Sequence, residues 1–384
     1  MKKLRVLHLI PNLKKGGAER YAVDVCNELV KIHDIEVKLI TLSYENAYSF
    51  ITDDLPISCI NSKYIPSISG KSIIDKEKYV SLLNDFRPHI IHTHLFRAEL
   101  FSSSFLSTSA VYVTHCHDNM HQYRAISPNI LFSKKKITEY YEKYLLLKNK
   151  YRIVRNYFIA NSDDTLSYFQ KVLPNKMKKD VELIEIGFDF NRFFNSDFPK
   201  PEISEKIQIV MVGSFADKKN QKLLVEVASV LKSRGVKFEI NMLGDGLNRK
   251  KIQKLIYNYG LEDFVFLRGN VDNVEEYLWK SNLYVHTAWY EPFGLAFLEA
   301  MAAGLPCVSL DGKGNRSLIK DGFNGYFIKE QNPELFADKI ETIANSPLLY
   351  SQMVLNAISC AKQYDISLKT RELVDFYRKI TAHS

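Results

Sequence analysis

The chain contains no D-x-D, so the paired carboxylates that often hold a divalent cation beside a phosphate are missing. No His/Cys/Asp group shows zinc spacing either. There is no G-x-G-x-x-G. The glycine pair that follows the first apolar run, Gly16-Gly17, has no acidic residue behind it where a dinucleotide ribose would need one, so that reading is poor. Cysteine is scarce: Cys26, Cys59, Cys116, Cys307 and Cys360 are scattered without a C-x-x-C. An odd count with no framework fits a reducing compartment. No uninterrupted apolar run approaches the ~18 residues that span a bilayer. The start, Met1-Lys2-Lys3 before Leu4 to Ile10, mimics a signal peptide only briefly, because Arg5 and His8 break it and Pro11-Asn12 end it. A buried first strand and a cytoplasmic location are the expectations. Internal repeats and low-complexity segments are absent as well.

With 384 residues, 46% hydrophobic and 25% charged, the chain has the composition of a globular protein of two domains. Its N-terminal half alternates apolar strands with helical patterns. Strands are expected at Arg5–Ile10, Glu36–Thr41, Ile90–His94, Ala110–His115 and Tyr157–Ala160. Ala22, Val23, Val25, Cys26, Leu29 and Val30 carry helical spacing after the first. A polar stretch from Phe194 to Lys206, broken by Pro199 and Pro201, reads as a linker. Strands then recur at 207–213, Lys237–Leu243, Phe264–Arg268, Leu283–Thr287, Pro306–Ser309 and Gly325–Ile328. Such alternation implies parallel sheets with crossover helices. The expected domains are 1–193, a linker at 194–206, a second domain at 207–365, and a last helical segment at 366–384.

The net charge of +8 is uneven. Between His121 and Arg155 nine Lys/Arg face two acids, Glu139 and Glu142, and the segment alone supplies +7. Lys134, Lys135 and Lys136 interleave there with Tyr140, Tyr141, Tyr144, Leu145 to Leu147 and Tyr151. A basic, aromatic stripe of this kind suits an interfacial helix on an anionic membrane, and equally a helix packed on its own domain with solvated lysines. No recognition motif for nucleic acid accompanies it.

The strongest local signal is Glu291-Pro-Phe-Gly-Leu-Ala-Phe-Leu-Glu299. Gly294 opens a helix that Gly304-Leu305-Pro306 closes. Glu291 then lies in the preceding loop and Glu299 within the helix, with an anion site at the free amides between them. A phosphate on those amides would leave the carboxylates to accept hydrogen bonds from hydroxyls, which describes a nucleotide sugar. Two solvated glutamates at a buried helix start would show the same spacing.

The stretch from His286 to Pro306 resembles the E-x(7)-E signature of retaining family 4 glycosyltransferases. Further blocks follow that family's order: Gly16-Gly17-Ala18-Glu19-Arg20, His92-Thr-His94, His115-Cys-His117-Asp118, Gly187-Phe-Asp189 with Arg192-Phe193, Gly213 with Lys219-Asn220, Gly244-Asp245-Gly246, and Asp321-Gly-Phe-Asn-Gly325. The likeness runs from about residue 4 to 330. It implies the GT-B fold, two Rossmann-like doubly wound α/β domains facing a central cleft. The nucleotide would be held mainly by the C-terminal domain, and the last helix would return to the N-terminal one.

The resemblance implies these roles. His117 would touch the transferred sugar, with His115 as the alternative, while His92 and His94 read as mostly structural. Glu299 would bind ribose hydroxyls, and Glu291, Phe293, Gly294 and Leu295 would line the sugar and diphosphate. Lys219 would neutralise the diphosphate. Gly16, Gly17, Gly213, Gly244 and Asp245 would approach the donor, and Arg268 to Val271 its base. The expected catalytic set is His117, Glu291 and Lys219. Two positions depart from the family: Ser214 replaces an arginine, leaving Lys218 or Arg268 to compensate, and Ser317 stands near Asn315 in place of a frequent glutamate. The implied reaction is metal-independent, needs no cofactor, and retains configuration. It transfers a hexosyl or N-acetylhexosaminyl group, with a UDP-sugar as expected donor and a glycan or lipid-linked acceptor of bacterial surface polysaccharide. A non-catalytic nucleotide-sugar scaffold or sensor is the alternative. A sugar-nucleotide epimerase or a phosphorylase on the same fold lacks its recognisable residues.

Overall fold

A computed structural model describes residues 3–62, 74–125, 130, 133–198, 200, 203 and 205–382. The chain forms two compact units, Met1–Gly187 with Ile366–Ser384, and Phe188–Asp365.

The first unit is built on a seven-stranded sheet of β1 (Leu4–Ile10), β2 (Ile35–Thr41), β3 (Ile57–Cys59), β4 (Ile90–His94), β5 (Val111–Cys116), β6 (Asn156–Ala160) and β7 (Val181–Leu183). Its order is β3-β2-β1-β4-β5-β6-β7, and every pairing is parallel. The order reverses between β1 and β4, the position at which open α/β sheets hold ligands. Parallel strands need cover on both faces. Here the helices include Gly17–Val30 and the C-terminal Ile366–Ala382, which pack against each other. Tyr21, Val25 and Leu29 of the former and Leu373 and Tyr377 of the latter are buried.

The second unit holds a six-stranded sheet of β8 (Ile207–Val212), β9 (Phe238–Leu243), β10 (Val265–Gly269), β11 (Leu283–His286), β12 (Cys307–Leu310) and β13 (Gly325–Ile328). The order β10-β9-β8-β11-β12-β13 again reverses beside its first strand. Its core gathers Ile209, Met211, Leu224, Val227, Ile240, Val285, Val308 and Phe336, contributed by strands and by helices on both sides.

Eleven strands lie within a residue of their expected positions, while β3 and β7 are additional. Both are three-residue edge strands, too short to display a period of two. Residues 188–193, expected with the N-terminal domain, belong to the second unit. Phe188, Phe190 and Phe193 are buried there, Phe188 pairs with Tyr364 through its amide at 3.0 Å, and Trp279 Nε1 donates to the Phe193 carbonyl at 2.6 Å. Of the expected linker, Pro199 and Pro201 lie outside the described residues, while the Lys200 ammonium donates to the Leu278 carbonyl at 3.1 Å.

Candidate active site

In the second unit, β8 ends at Val212 and the chain turns through Gly213 and Ser214 to a short 3-10 turn, Asp217–Lys219, before the helix Gln221–Ser233. Lys219 Nζ makes an ion pair with Glu291 Oε2, and both side chains are mostly buried. The same carboxylate oxygen accepts from His286 Nε2 at 3.1 Å. His286 Nδ1 in turn meets the Tyr284 hydroxyl at 2.9 Å. Thr287, next on the chain, donates to the carbonyls of Lys219 and Asn220 and fixes the lysine-bearing turn from behind.

This wiring defines protonation. Burial pushes the Glu291 carboxyl upward, but the Lys219 ammonium and the His286 N–H outweigh it and hold the group well below the usual carboxylate range. Burial lowers His286, against the opposing pull of Glu291. The neutral ring therefore donates from Nε2 to the carboxylate and accepts from Tyr284 at Nδ1.

The loop that carries Glu291 is tied by backbone bonds, Glu291 N to the Gly312 carbonyl at 2.8 Å and Gly314 N to the Glu291 carbonyl at 3.0 Å. Asn315, fully buried, bolts the facing segment by donating to Ser309 Oγ and the Leu310 carbonyl and accepting from Gly312 N. Its role is structural, while the Ser317 hydroxyl is buried without a partner. Gly294 caps the helix Leu295–Ala302 at φ +108°, a conformation that side chains resist, and a Cβ there would strike the Phe297 ring at 2.5 Å. Phe293 is buried, and Glu299 sits inside the helix on a partly exposed turn.

Gly244 lies against the Gly213 turn so closely that a Cβ on it would fall 2.2 Å from the Gly213 carbonyl oxygen. Asp245 is exposed and bonds the amide of Gly246, and its own carbonyl receives the Phe215 amide. Ser214 is exposed, its carbonyl taken by Gln221 Nε2. Arg268 does not join this cluster. It donates to Asn241 at 2.6 Å, approaches Glu239 at 3.8 Å, and stacks on Phe266, beside a bulge in the β9–β10 pairing. Val271 lies in the loop after β10, partly exposed.

In the first unit, Gly16 is the extended residue before the helix Gly17–Val30. Its amide donates to the Tyr48 hydroxyl, and its carbonyl accepts from the same group, both at 2.9 Å. His117 follows β5. Register sets His8 beside His92 and His94 beside His115, and spacing of two puts His92 with His94, and His115 with His117, on one sheet face. His115 and His117 stack at 4.2 Å and 7°, His92 and His94 at 4.5 Å and 13°. Tyr21 covers them edge-on. His94 Nδ1 lies 2.9 Å from His117 Nε2, and His8 Nδ1 2.8 Å from His94 Nε2. Burial lowers all five, His8 and His117 to about 3, so the rings are neutral. Sequence spacing does not show that His8, His92 and His94, or His94, His115 and His117, bring their nitrogens within 4.8 Å of one another. Nearly parallel rings whose nitrogens already pair do not converge their lone pairs on one point, so the set is better suited to hydrogen bonding than to a metal ion.

Lys134, Lys135 and Lys136 open the helix Lys134–Leu145, all exposed, after the Ser133 cap. No residue of that helix is buried, and Tyr140, Tyr141 and Tyr144 face solvent. Not all of the basic stripe is surface. Lys150 is fully buried, bonded to Glu99 at 2.7 Å and Ser102 at 2.8 Å. No helix among the described residues is long and apolar enough to cross a membrane.

The sequence model described as glycosyl transferases group 1 matches residues 193–359, and that described as glycosyltransferase family 4 matches residues 15–192. The chain belongs to this glycosyltransferase family. Among its curated relatives is the poly(ribitol-phosphate) alpha-N-acetylglucosaminyltransferase of Staphylococcus aureus, 36% identical over 45% of this chain and 35% of that one. Another is the poly(glycerol-phosphate) alpha-glucosyltransferase of Bacillus subtilis, 32% identical over 42% of this chain and 24% of that one. The match thus takes in less than half the length of either relative. Among solved structures, Anabaena HepE in complex with UDP and glucose superposes over 98% of this chain and 100% of its own, at a TM-score of 0.78 and 19% identity. The chain has the GT-B fold, with its two parallel-sheet α/β units.

Proposed function

We propose that the protein is a retaining glycosyltransferase that moves a hexosyl or N-acetylhexosaminyl group from a UDP-sugar to a glycan or lipid-linked acceptor of a cell-surface polymer. The observation that carries this reading is the Lys219–Glu291–His286 cluster at the start of the helix Leu295–Ala302. An ammonium held by a buried carboxylate beside a helix N-terminus is prepared to meet a diphosphate. On donor binding Lys219 turns to the phosphates, and Glu291, still held by His286, accepts from a sugar hydroxyl. Glu299 takes the ribose hydroxyls. Phe293, Gly294 and Leu295 line the diphosphate and sugar, with Gly16, Gly17, Gly213, Ser214, Gly244 and Asp245 near the donor. Because Arg268 is engaged with Asn241, Lys218 is the cation left to assist Lys219 where Ser214 replaces arginine.

His117 meets the transferred sugar. As the oxocarbenium-like carbon forms, the departing phosphate oxygen accepts the proton of the acceptor hydroxyl, which attacks on the face being vacated. Retention is supported by the alpha-linkages in the names of both curated relatives, and UDP by the ligand of the Anabaena structure. The charge balance is met by protein cations and helix amides without a metal. The helix Lys134–Leu145, with lysines and tyrosines exposed together, is the proposed contact with an anionic membrane's inner face.

Proton NMR of the purified protein with UDP-glucose or UDP-N-acetylglucosamine tests this reading. Sugar released or transferred in the α configuration first is expected, and β first would overturn retention. Nucleotide binding without any turnover, on a panel of glycan and lipid-linked acceptors, would favour the scaffold alternative.

A further inference from the structure

The His117 imidazole is the outer end of a longer buried chain. From it, His94 Nδ1 and Nε2 lead to His8 Nδ1 at 2.9 and 2.8 Å. His8 Nε2 meets the Tyr377 hydroxyl at 3.3 Å. That hydroxyl also bonds His92 Nδ1, and His92 Nε2 lies 3.3 Å from His115 Nδ1. Five hydrogen bonds thus join five imidazoles and one phenol from β1, β4, β5 and the C-terminal helix Ile366–Ala382. Only His117 has measurable exposure, at 8%, while the other four histidines and Tyr377 are at 0%.

We propose that this chain is directional and places the proton of His117 on Nδ1, making Tyr377, His8 and His94 positioning residues for that imidazole. The direction follows from the inner end. His115 Nε2 is buried with no hydrogen-bond partner. A neutral ring carries one N–H and one lone pair. If the inner end pointed its N–H into that space, a donor would be stranded, whereas a bare lone pair leaves the N–H of His115 on Nδ1 to be used. His115 Nδ1–H then donates to His92 Nε2, His92 Nδ1–H donates to the Tyr377 oxygen, and the Tyr377 O–H donates to His8 Nε2. His8 Nδ1–H donates to His94 Nε2, and His94 Nδ1–H donates to His117 Nε2. His117 must therefore hold its own proton on Nδ1, the nitrogen outside the chain. Each member has one donor and one acceptor, so reversing one bond requires reversing all five.

Burial supports the same picture by keeping every ring uncharged, since a proton added to a bonded nitrogen would place two donors face to face and one added to His115 Nε2 would strand a buried N–H. Packing alone would not select a tautomer: stacked rings at these distances are equally filled by either. Tyr377 is the reversible link, because its hydroxyl alone passes the direction from the β4–β5 histidines to those of β1 and β4 that reach His117.

The consequence for the reaction rests on the proposed role of His117. An Nδ1–H donor is presented to a sugar oxygen, and the ring does not act as a base there. The test uses the full-length protein with 15N-labelled histidine and long-range proton–nitrogen spectra at pH 7.5. Five histidines in the neutral Nδ1–H form are expected, against the Nε2–H form usual for histidine in water. Tyr377→Phe, which keeps the ring and its packing, should let His8, His94 and His117 drift to Nε2–H. It should lower kcat about tenfold, one hydrogen bond's worth, with the donor KM unchanged. Nε2–H or imidazolium forms along the wild-type chain would overturn the proposal, and that spectrum decides even if the variant folds poorly. Outer tautomers unmoved by Tyr377→Phe would overturn it too. Tautomers that respond while kcat does not would uphold the chain and remove His117 from the reaction.

Discussion

The two units bury the same kind of device, a tyrosine hydrogen-bonded to a histidine on a central strand, and put it to opposite electrostatic use. In the first unit Tyr377 joins five imidazoles with no carboxylate among them, and burial keeps the set neutral. In the second, Tyr284 and His286 lead to Glu291 and Lys219, and the charges survive because each faces its opposite. A buried charge endures only when paired, and a buried neutral ring only when its nitrogens are used. β4 shows both solutions on one strand. His92 and His94 occupy one face, while Thr93 on the other bonds Glu99, the buried partner of Lys150. The difference assigns charge handling to the second unit and neutral hydrogen bonding to the first, the division that the proposed nucleotide-sugar reaction would require.

Acid should break the comparison most strongly. A histidine lowered in the folded state contributes stability that is complete above its unfolded value near 6.5 and is lost as pH falls toward its folded value. Each such group costs about 1.4 kcal/mol per pH unit in that window. Five in the first unit amount to roughly 7 kcal/mol per unit of pH, as large as a typical domain's whole stability. The second unit has His286 alone among these, and Glu291, whose depressed value gives a contribution that is complete above its unfolded value near 4.5 and is lost only as pH falls below that. Hydrogen exchange at pH 7.5 and 5.5, read peptide by peptide, should show β4 and β5 losing protection before β11 and β12. Equal losses would contradict the assignment.

Next in size are the ion pairs. Lys219→Met strands the Glu291 carboxylate, and Lys150→Met strands Glu99, each costing about 3–5 kcal/mol in urea unfolding. Only the first should abolish nucleotide binding. Gly244→Ala is expected to cost about 1–3 kcal/mol, because φ of +127° and the Gly213 carbonyl leave no place for a methyl group. The smallest effect belongs to the exposed lysines. Changing Lys134, Lys135 and Lys136 together to glutamine should move stability by no more than about 0.5 kcal/mol, yet reduce flotation with anionic liposomes. Unchanged flotation would remove the membrane contact.

Local pattern carried most of the architecture. Strands of four or more residues show in the sequence, as do the glycine turns and the helix after Gly294, because their periods and caps are local. What it could not carry are partnerships across distance. Lys150 reads as one more cation in a basic stripe until β4 and its helix bring Glu99, 51 residues away, against it. His286 lies inside the motif that marks the site, but only the fold aims its Nε2 at Glu291. His92 and His94 read as satisfied structural groups, and they are satisfied, by other histidines that link them to His117. The paired H-x-H spacings at His92 and His115 were the visible trace, and strand register supplied the rest.

The most direct test of the account is a calorimetric titration of UDP, GDP and ADP and their common sugar conjugates, without metal and again with magnesium. Tight binding of one nucleotide, UDP by the present reading, should need no metal and should vanish in Lys219→Ala and Glu299→Ala. Binding that is absent for all three nucleotides, or that survives both substitutions, would contradict the assignment of the second unit's charged cluster to the donor diphosphate.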